Sequence, residues 1–133
     1  MIVALLDTDI LSEYFRGNAR VIKRVEDYLE KFEAINFSII TYYEILNGLL
    51  CKDAQNQLER FKSFAQMSNI LPLTLRTVEI SAKIHADLRK KGREIGHTDT
   101  LIAGTALGFG MQLISNNLEH FSRIEGLELD NWK

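Results

Sequence analysis

The apolar positions of this chain change their spacing repeatedly, and each change marks an element. Ile2 to Leu6 form a short unbroken apolar run. Without alternation, and too short for a helix, it predicts a strand buried on both faces. Ile10, Leu11, Tyr14 and Phe15 then recur at helical spacing up to Gly17, a residue suited to a helix end. Asn18 is a candidate cap for a second helix. Val21, Ile22, Val25, Tyr28, Leu29 and Phe32 mark one face of it, and Lys23, Arg24, Glu26, Asp27 and Glu30 the other. Ala34 to Ser38 reads as a second strand. Ser38 to Leu50 reads as a helix in which Gly48 is an unfavourable interior residue.

Further on, Asp53 or Ala54 opens a fourth helix to about Met67, with Leu58, Phe61, Phe64 and Ala65 as its buried stripe. Ile70 to Leu73 is a brief strand, and Pro72 suits an edge or a strand end. Thr77 starts a fifth helix whose basic end is stopped by Gly92. After a loop from Gly92 to His97, Thr98 or Asp99 leads a helix of small residues through Leu107, which predicts close packing against a strand or another helix. Met111 to Ser115 is another buried-type strand, ending in Asn116-Asn117. The remainder predicts one helical turn and an edge strand near Leu127 to Leu129. Strands alternating with helices mean a parallel sheet of about four to five strands covered on both sides. The expectation is an α/β chain forming one domain over residues 1–133.

Composition narrows the class. The chain is 46% hydrophobic and 26% charged, ordinary for a globular protein, with a formal net charge of −2 that gives no global basic field. Basic residues cluster locally instead, as Arg16, Arg20, Lys23 and Arg24, and as Arg89, Lys90, Lys91 and Arg93. The second group precedes the Asp99 loop, where it is a candidate for holding a polynucleotide backbone. The single cysteine, Cys51, excludes an internal disulfide and a cysteine-built metal site. No stretch approaches the roughly 20 apolar residues of a membrane span, and the first run is too short for a signal peptide. The expected location is the cytoplasm.

Three acids stand out by position. Asp7 ends the first strand, Glu44 lies among apolar helical residues, and Asp99 opens a helix after a glycine-containing loop. Each has a plain structural account. Asp9 or Thr8 can cap the first helix, Asp99 its own, and Glu44 can lie on a solvated face. The sharper account brings Asp7, Glu44 and Asp99 into one crevice, where their charges repel unless a cation joins them. Oxygen-only ligands favour Mg²⁺ or Mn²⁺ over zinc, and such an ion suits hydrolysis of phosphodiesters by activated water. The histidines show no metal-binding pair; His97, two residues before Asp99, is the candidate to support the site. Asp7-Thr8-Asp9 also imitates the Asp-x-Asp nucleophile motif of haloacid-dehalogenase-like phosphatases, with Asp7 as nucleophile, although no late Asp-Asp pair accompanies it.

Taken in order, several pieces resemble the PIN-domain family, and within it the VapC-type toxin ribonucleases of toxin–antitoxin pairs. They are LLDTDILSEYF at Leu5 to Phe15, Tyr43-Glu44-Ile45-Leu46 followed by Gly48, Ile95 to Ala103, and Leu113 to Asn117 leading to His120-Phe121 and Gly126-Leu127. The resemblance implies a three-layer α/β/α fold and Mg²⁺- or Mn²⁺-dependent cleavage of RNA, often structured RNA such as tRNA. It implies that Asp7, Glu44 and Asp99 are metal-binding acids and that Ser115 is a hydroxyl beside them. It also implies homodimers and a VapB-like antitoxin whose tail enters the groove. Where many relatives carry a fourth acid, this chain has Asn116-Asn117. Asn117 is then the candidate to complete the site, with Thr8, Asp9, Ser115, Asn116 and Glu119 as secondary candidates, Glu119 being the alternative source of charge. A PIN domain that binds RNA or protein without cutting is the non-catalytic alternative.

Overall fold

In the computed structural model, which describes residues 2–133, Met1 lies outside the described stretch. The chain runs β1 (Ala4–Leu6), α1 (Thr8–Phe15), α2 (Ala19–Leu29), β2 (Asn36–Ser38), α3 (Ile39–Cys51) and α4 (Gln55–Gln66). It continues through β3 (Asn69–Leu71), α5 (Leu75–Lys90), α6 (His97–Gly108), β4 (Gln112–Ile114), α7 (Leu118–Phe121) and β5 (Leu129–Asp130). The strands form one five-stranded sheet in the order β3-β2-β1-β4-β5, with every neighbouring pair parallel. Helices cover both faces, giving the three-layer α/β/α arrangement that the alternation predicts.

The three central strands are too short to be held by ladder bonds alone, so side-chain burial holds them. Ala4, Leu6 and Ile114 face a core built with Ile10, Leu11, Val21, Val25 and Phe61. Leu5 and Leu113 face the other core, with Leu88, Ile102, Ala103, Ala106 and Phe121. This is the period-2 alternation of strands whose two faces are both covered. Between β1 and β2 a polar cluster replaces missing ladder bonds. The Ala4 N–H donates to the Tyr28 hydroxyl at 3.0 Å, and Asn36 Nδ2 donates to the Ala4 carbonyl at 3.0 Å. Asn69 Nδ2 in turn donates to Asn36 Oδ1 at 2.9 Å. Tyr28→Phe orphans the buried Ala4 N–H; chemical denaturation should show a loss of about 1–3 kcal/mol with an unchanged denaturant slope.

Helices α3 and α4 start just after the positions read from the sequence, at Ile39 and Gln55, because Ser38 and Ala54 are their caps, while α5 and α6 start upstream of theirs. Helix α5 begins at Leu75, because Thr74 is the cap and Thr77 bonds back to it: the Thr77 N–H donates to Thr74 Oγ1 at 3.1 Å and the Thr74 N–H donates to Thr77 Oγ1 at 2.8 Å. Helix α6 begins at His97 with Gly96 as its cap. That moves Asp99 off the cap position and into the first turn. The final strand is Leu129–Asp130, two residues beyond its expected start. Helices α5 and α6 pack antiparallel through small residues, with Gly104 against Ser81 and Thr77, and Gly108 against Thr77.

Candidate active site

Strand β1 lies at the point where the strand order reverses, since the chain leaves it towards β2 and β3 and returns on its other side as β4. Open parallel sheets form their ligand crevice at the carboxyl ends of the strands flanking such a point. Asp7 follows β1 there and Ser115 follows β4. The Asp7 N–H extends the strand pairing by donating to the Ile114 carbonyl at 2.9 Å. The Ser115 hydroxyl donates to Asp7 Oδ2 at 2.8 Å, and the Thr8 N–H donates to Oδ1 at 2.8 Å. Asp7 is therefore the cap of α1, and neither Thr8 nor Asp9 plays that part.

The Asp7 carboxyl is 5% exposed. Burial, followed by the charge of Asp9, pushes its pKa up to about 7 despite the bonds from Ser115 and Thr8, and Asp99 adds to the rise. Burial also raises Asp9, with the charge of Asp99 contributing, although the Asn116 N–H donates to Asp9 Oδ2 at 3.0 Å. Asp9 Oδ1 is buried with no hydrogen-bond partner among the described residues. Asp99 stands opposite, 3.5 Å from both Asn117 Nδ2 and His120 Nδ1. The Asn117 N–H donates to Ser115 Oγ at 2.9 Å, which closes the ring of contacts back to Asp7.

Glu44 enters from α3 and is tied to the same residue as Asp7. Thr8 Oγ1 donates to Glu44 Oε1 at 2.6 Å and lies 3.0 Å from Thr41 Oγ1. A carboxylate among Tyr42, Tyr43, Ile45 and Leu46 needs a donor, and Thr8 is that donor. The structure thus brings Asp7, Asp9 and Asp99 within reach of one another's charge and joins Glu44 to them through Thr8. As the side chains stand, no three acidic or histidine side chains among the described residues are grouped tightly enough to cage an ion. Each carboxylate is instead drawn to its own donor: Asp7 to Ser115, Glu44 to Thr8, Asp99 to Asn117.

The remaining candidates separate. Asn116 turns its amide oxygen outward to Asn131 Nδ2 at 3.0 Å, while Asn117 faces Asp99. Glu119 points away from the crevice, 87% exposed and 3.9 Å from Arg123. Arg89, Lys90, Lys91 and Arg93 are all exposed at the end of α5 and in the loop leading to α6. The histidine beside the acids is His120, not His97. His97 is exposed and stacks on His85 with ring centroids 4.5 Å apart. The one-turn helix α7 sets His120 Nδ1 2.9 Å from Asn117 Nδ2, and no spacing within the sequence signals that both meet Asp99. Asp9 is also more central than its neighbourhood suggests, since the Asn116 loop, remote in sequence, buries it.

An orphaned buried carboxylate oxygen, a carboxyl held up near neutrality by burial and then by its acidic neighbours, and a donor set made only of oxygens fit a hard divalent cation. Cavity and fold together define a PIN domain, and the PIN domain family model matches residues 4–127. Relatives include Ribonuclease VapC1 of Rickettsia felis, 32% identical over 94% of this chain and 92% of that protein. The tRNA(fMet)-specific endonuclease VapC of Salmonella typhimurium is 30% identical over 71% of this chain and 73% of that protein. Among solved structures, VapBC2 from Rickettsia felis bound to a promoter DNA fragment aligns with a TM-score of 0.90 at 25% identity, covering 99% of this chain and 100% of that one. The chain belongs to the PIN-domain family and, within it, to the VapC-type ribonucleases of toxin–antitoxin pairs. That membership sets aside the phosphatase account of Asp7-Thr8-Asp9.

Proposed function

We propose that this chain, as one nuclease domain over residues 1–133, is an endoribonuclease dependent on Mg²⁺ or Mn²⁺ and the toxin of a toxin–antitoxin pair. The observation that carries the metal requirement is the buried pair Asp7 and Asp9 facing Asp99, with Asp9 Oδ1 unpartnered. Asp7, Asp99 and Glu44 would hold the cation, with Asp9 beside them. When bound, the ion supplies charge neutralisation at the scissile phosphate and activation of water. Ser115 fixes the orientation of Asp7 through its 2.8 Å bond, and Thr8 does the same for Glu44. Asn117, whose Nδ2 lies 3.5 Å from Asp99 Oδ2 and 2.9 Å from His120 Nδ1, positions Asp99. Arg89, Lys90, Lys91 and Arg93, on the α6 side, would draw in the RNA backbone.

The relative named as a tRNA(fMet)-specific endonuclease supports tRNA as the substrate class. The VapBC2 complex supports a VapB-like antitoxin as partner. Exposed Ile39, Tyr43 and Leu50 on α3, with Leu75 and Val78 on α5, leave apolar surface suited to a homodimer. Among the described residues no helix is long and apolar enough to cross a membrane. The test is cleavage of total RNA by the purified protein. Cutting should require Mg²⁺ or Mn²⁺ and stop in EDTA. Metal binding by calorimetry without cutting under any condition would instead favour a non-catalytic RNA- or protein-binding domain.

A further inference from the structure

One feature of α3 is unexplained by the acidic centre. Gly48 sits in the last turn of α3, one turn beyond Glu44, where glycine still weakens the helix. Its backbone is not in the left-handed region, and a Cβ built on it meets nothing within 4 Å. Neither a turn nor a close helix contact therefore requires glycine here. What lies in front of it is a slot of about 250 Å³ between α1, α3 and α4.

Thr8 and Glu44, hydrogen-bonded to each other at 2.6 Å, line the slot, so it borders the acidic crevice. Its walls are apolar: Phe15, Ile45 and Leu49, with Phe61 behind them at 1% exposure. Its rim is basic, with Arg16, Lys52 and Arg60, and Gln57 adds an amide. Among the described residues neither Lys52 nor Arg60 has an acidic partner. Arg16 meets only Glu13, at 3.4 Å across an exposed pair that competes weakly with a phosphate. A flat apolar slot ringed by cations matches a single nucleotide, whose base seeks an apolar or aromatic surface and whose phosphates seek lysine and arginine.

We propose that this slot binds one unpaired nucleotide of the substrate RNA, next to the bond that is cut, and that Gly48 keeps it open. The inference rests on the ribonuclease reading above and names how that enzyme selects its cleavage site. A paired base cannot leave its helix to enter the slot without an unpairing cost, so the enzyme cuts in loops and single strands. The cations on this side, Arg16, Lys52 and Arg60, continue the phosphate path from the crevice away from Arg89 to Arg93.

The test variant is G48L, which replaces a helical glycine by a strong helix former pointing into open space. It should melt no lower than wild type and bind Mn²⁺ equally well. Its kcat/KM on RNA should fall by roughly tenfold or more, the scale of losing one base stack. A short ribo-oligonucleotide carrying 2-aminopurine, titrated in Ca²⁺, reads occupancy without relying on cleavage. Quenching by wild type that is lost in G48L supports the slot. Equal quenching, or equal kcat/KM, overturns it, while Mg²⁺-dependent cleavage by wild type leaves the ribonuclease reading intact. Wild type that quenches through the slot but never cuts keeps the slot and overturns the ribonuclease reading. If G48L cuts normally and only escapes inhibition by an antitoxin, the slot holds a peptide and the proposal is wrong.

Discussion

Asp7→Asn should abolish RNA cleavage and, in the same protein, raise the melting temperature in EDTA at pH 8. The two effects have one origin. The Asp7 carboxyl is buried beside Asp9 and Asp99, and its pKa of about 7 in the fold exceeds the 3.8 of an unperturbed aspartate. A carboxyl raised in the folded state favours folding while it is protonated, below about pH 4. That favour is lost progressively as pH rises to about 7. Above this the ionised group costs on the order of 4 kcal/mol, an upper limit because its neighbours share the titration. Asparagine keeps an acceptor for the Thr8 N–H and pairs with Ser115 without carrying charge. A gain of roughly 5–10 °C follows at pH 8. The gain should shrink towards nothing near pH 4, where wild type is neutral at this position as well. Activity should fall by more than about 100-fold, because the amide cannot neutralise a cation. Thermal scans at the two pH values with parallel cleavage assays decide it. A variant that melts lower than wild type at pH 8 would show that Asp7 is a structural cap and not a strained ligand. Saturating Mg²⁺ should reverse the order, stabilising wild type and leaving the variant unmoved.

Gly104→Ala should destabilise the fold more than any other single-methyl addition described here, by about 2–3 kcal/mol. A Cβ at this position would stand 1.8 Å from Ser81 Oγ, 2.9 Å from Ser81 Cβ and 2.9 Å from the Thr77 carbonyl oxygen. The hydroxyl can rotate away, though it then forfeits its 2.7 Å bond to that carbonyl. Ser81 Cβ and the Thr77 backbone cannot move without separating α5 from α6. Since α6 carries Asp99 in its first turn, the shift reaches the crevice. Urea denaturation should show the loss. The pairing of G48L with Gly104→Ala is instructive, because both add carbon to a helical glycine and the expected signs on stability are opposite.

That contrast shows what a single sequence can and cannot display. The small residues of Leu101 to Leu107 announce a close helix contact, and the short apolar runs at β1 and β4 announce buried strands. Asp7, Glu44 and Asp99 are visible because charge at the end of a buried strand, or inside an apolar stretch, is costly without a reason. Gly48 is legible as a weakness in a helix and as part of a family-like segment, but not as the wall of a slot, since empty space has no residue type. Asp9 owes its burial to the turn at Asn116-Asn117, 107 residues further along the chain, and His120 owes its position to α7, which folds back on Asp99. Helices α5 and α6 start at Leu75 and His97, ahead of the first apolar residue that repeats at helical spacing, because their first turns are largely polar.

The carboxyl end of the chain has a consequence for the chemistry. Asn131 holds the Asn116 side chain, and the Asn116 N–H holds Asp9. Trp132 is 3% exposed beneath the Arg24 guanidinium, while Lys133 reaches Glu13 at 3.4 Å. Residues 131–133 therefore buttress the acidic centre from behind. Loosening that support, as Asn131→Ala would, should disarm the protein long before it unravelled it.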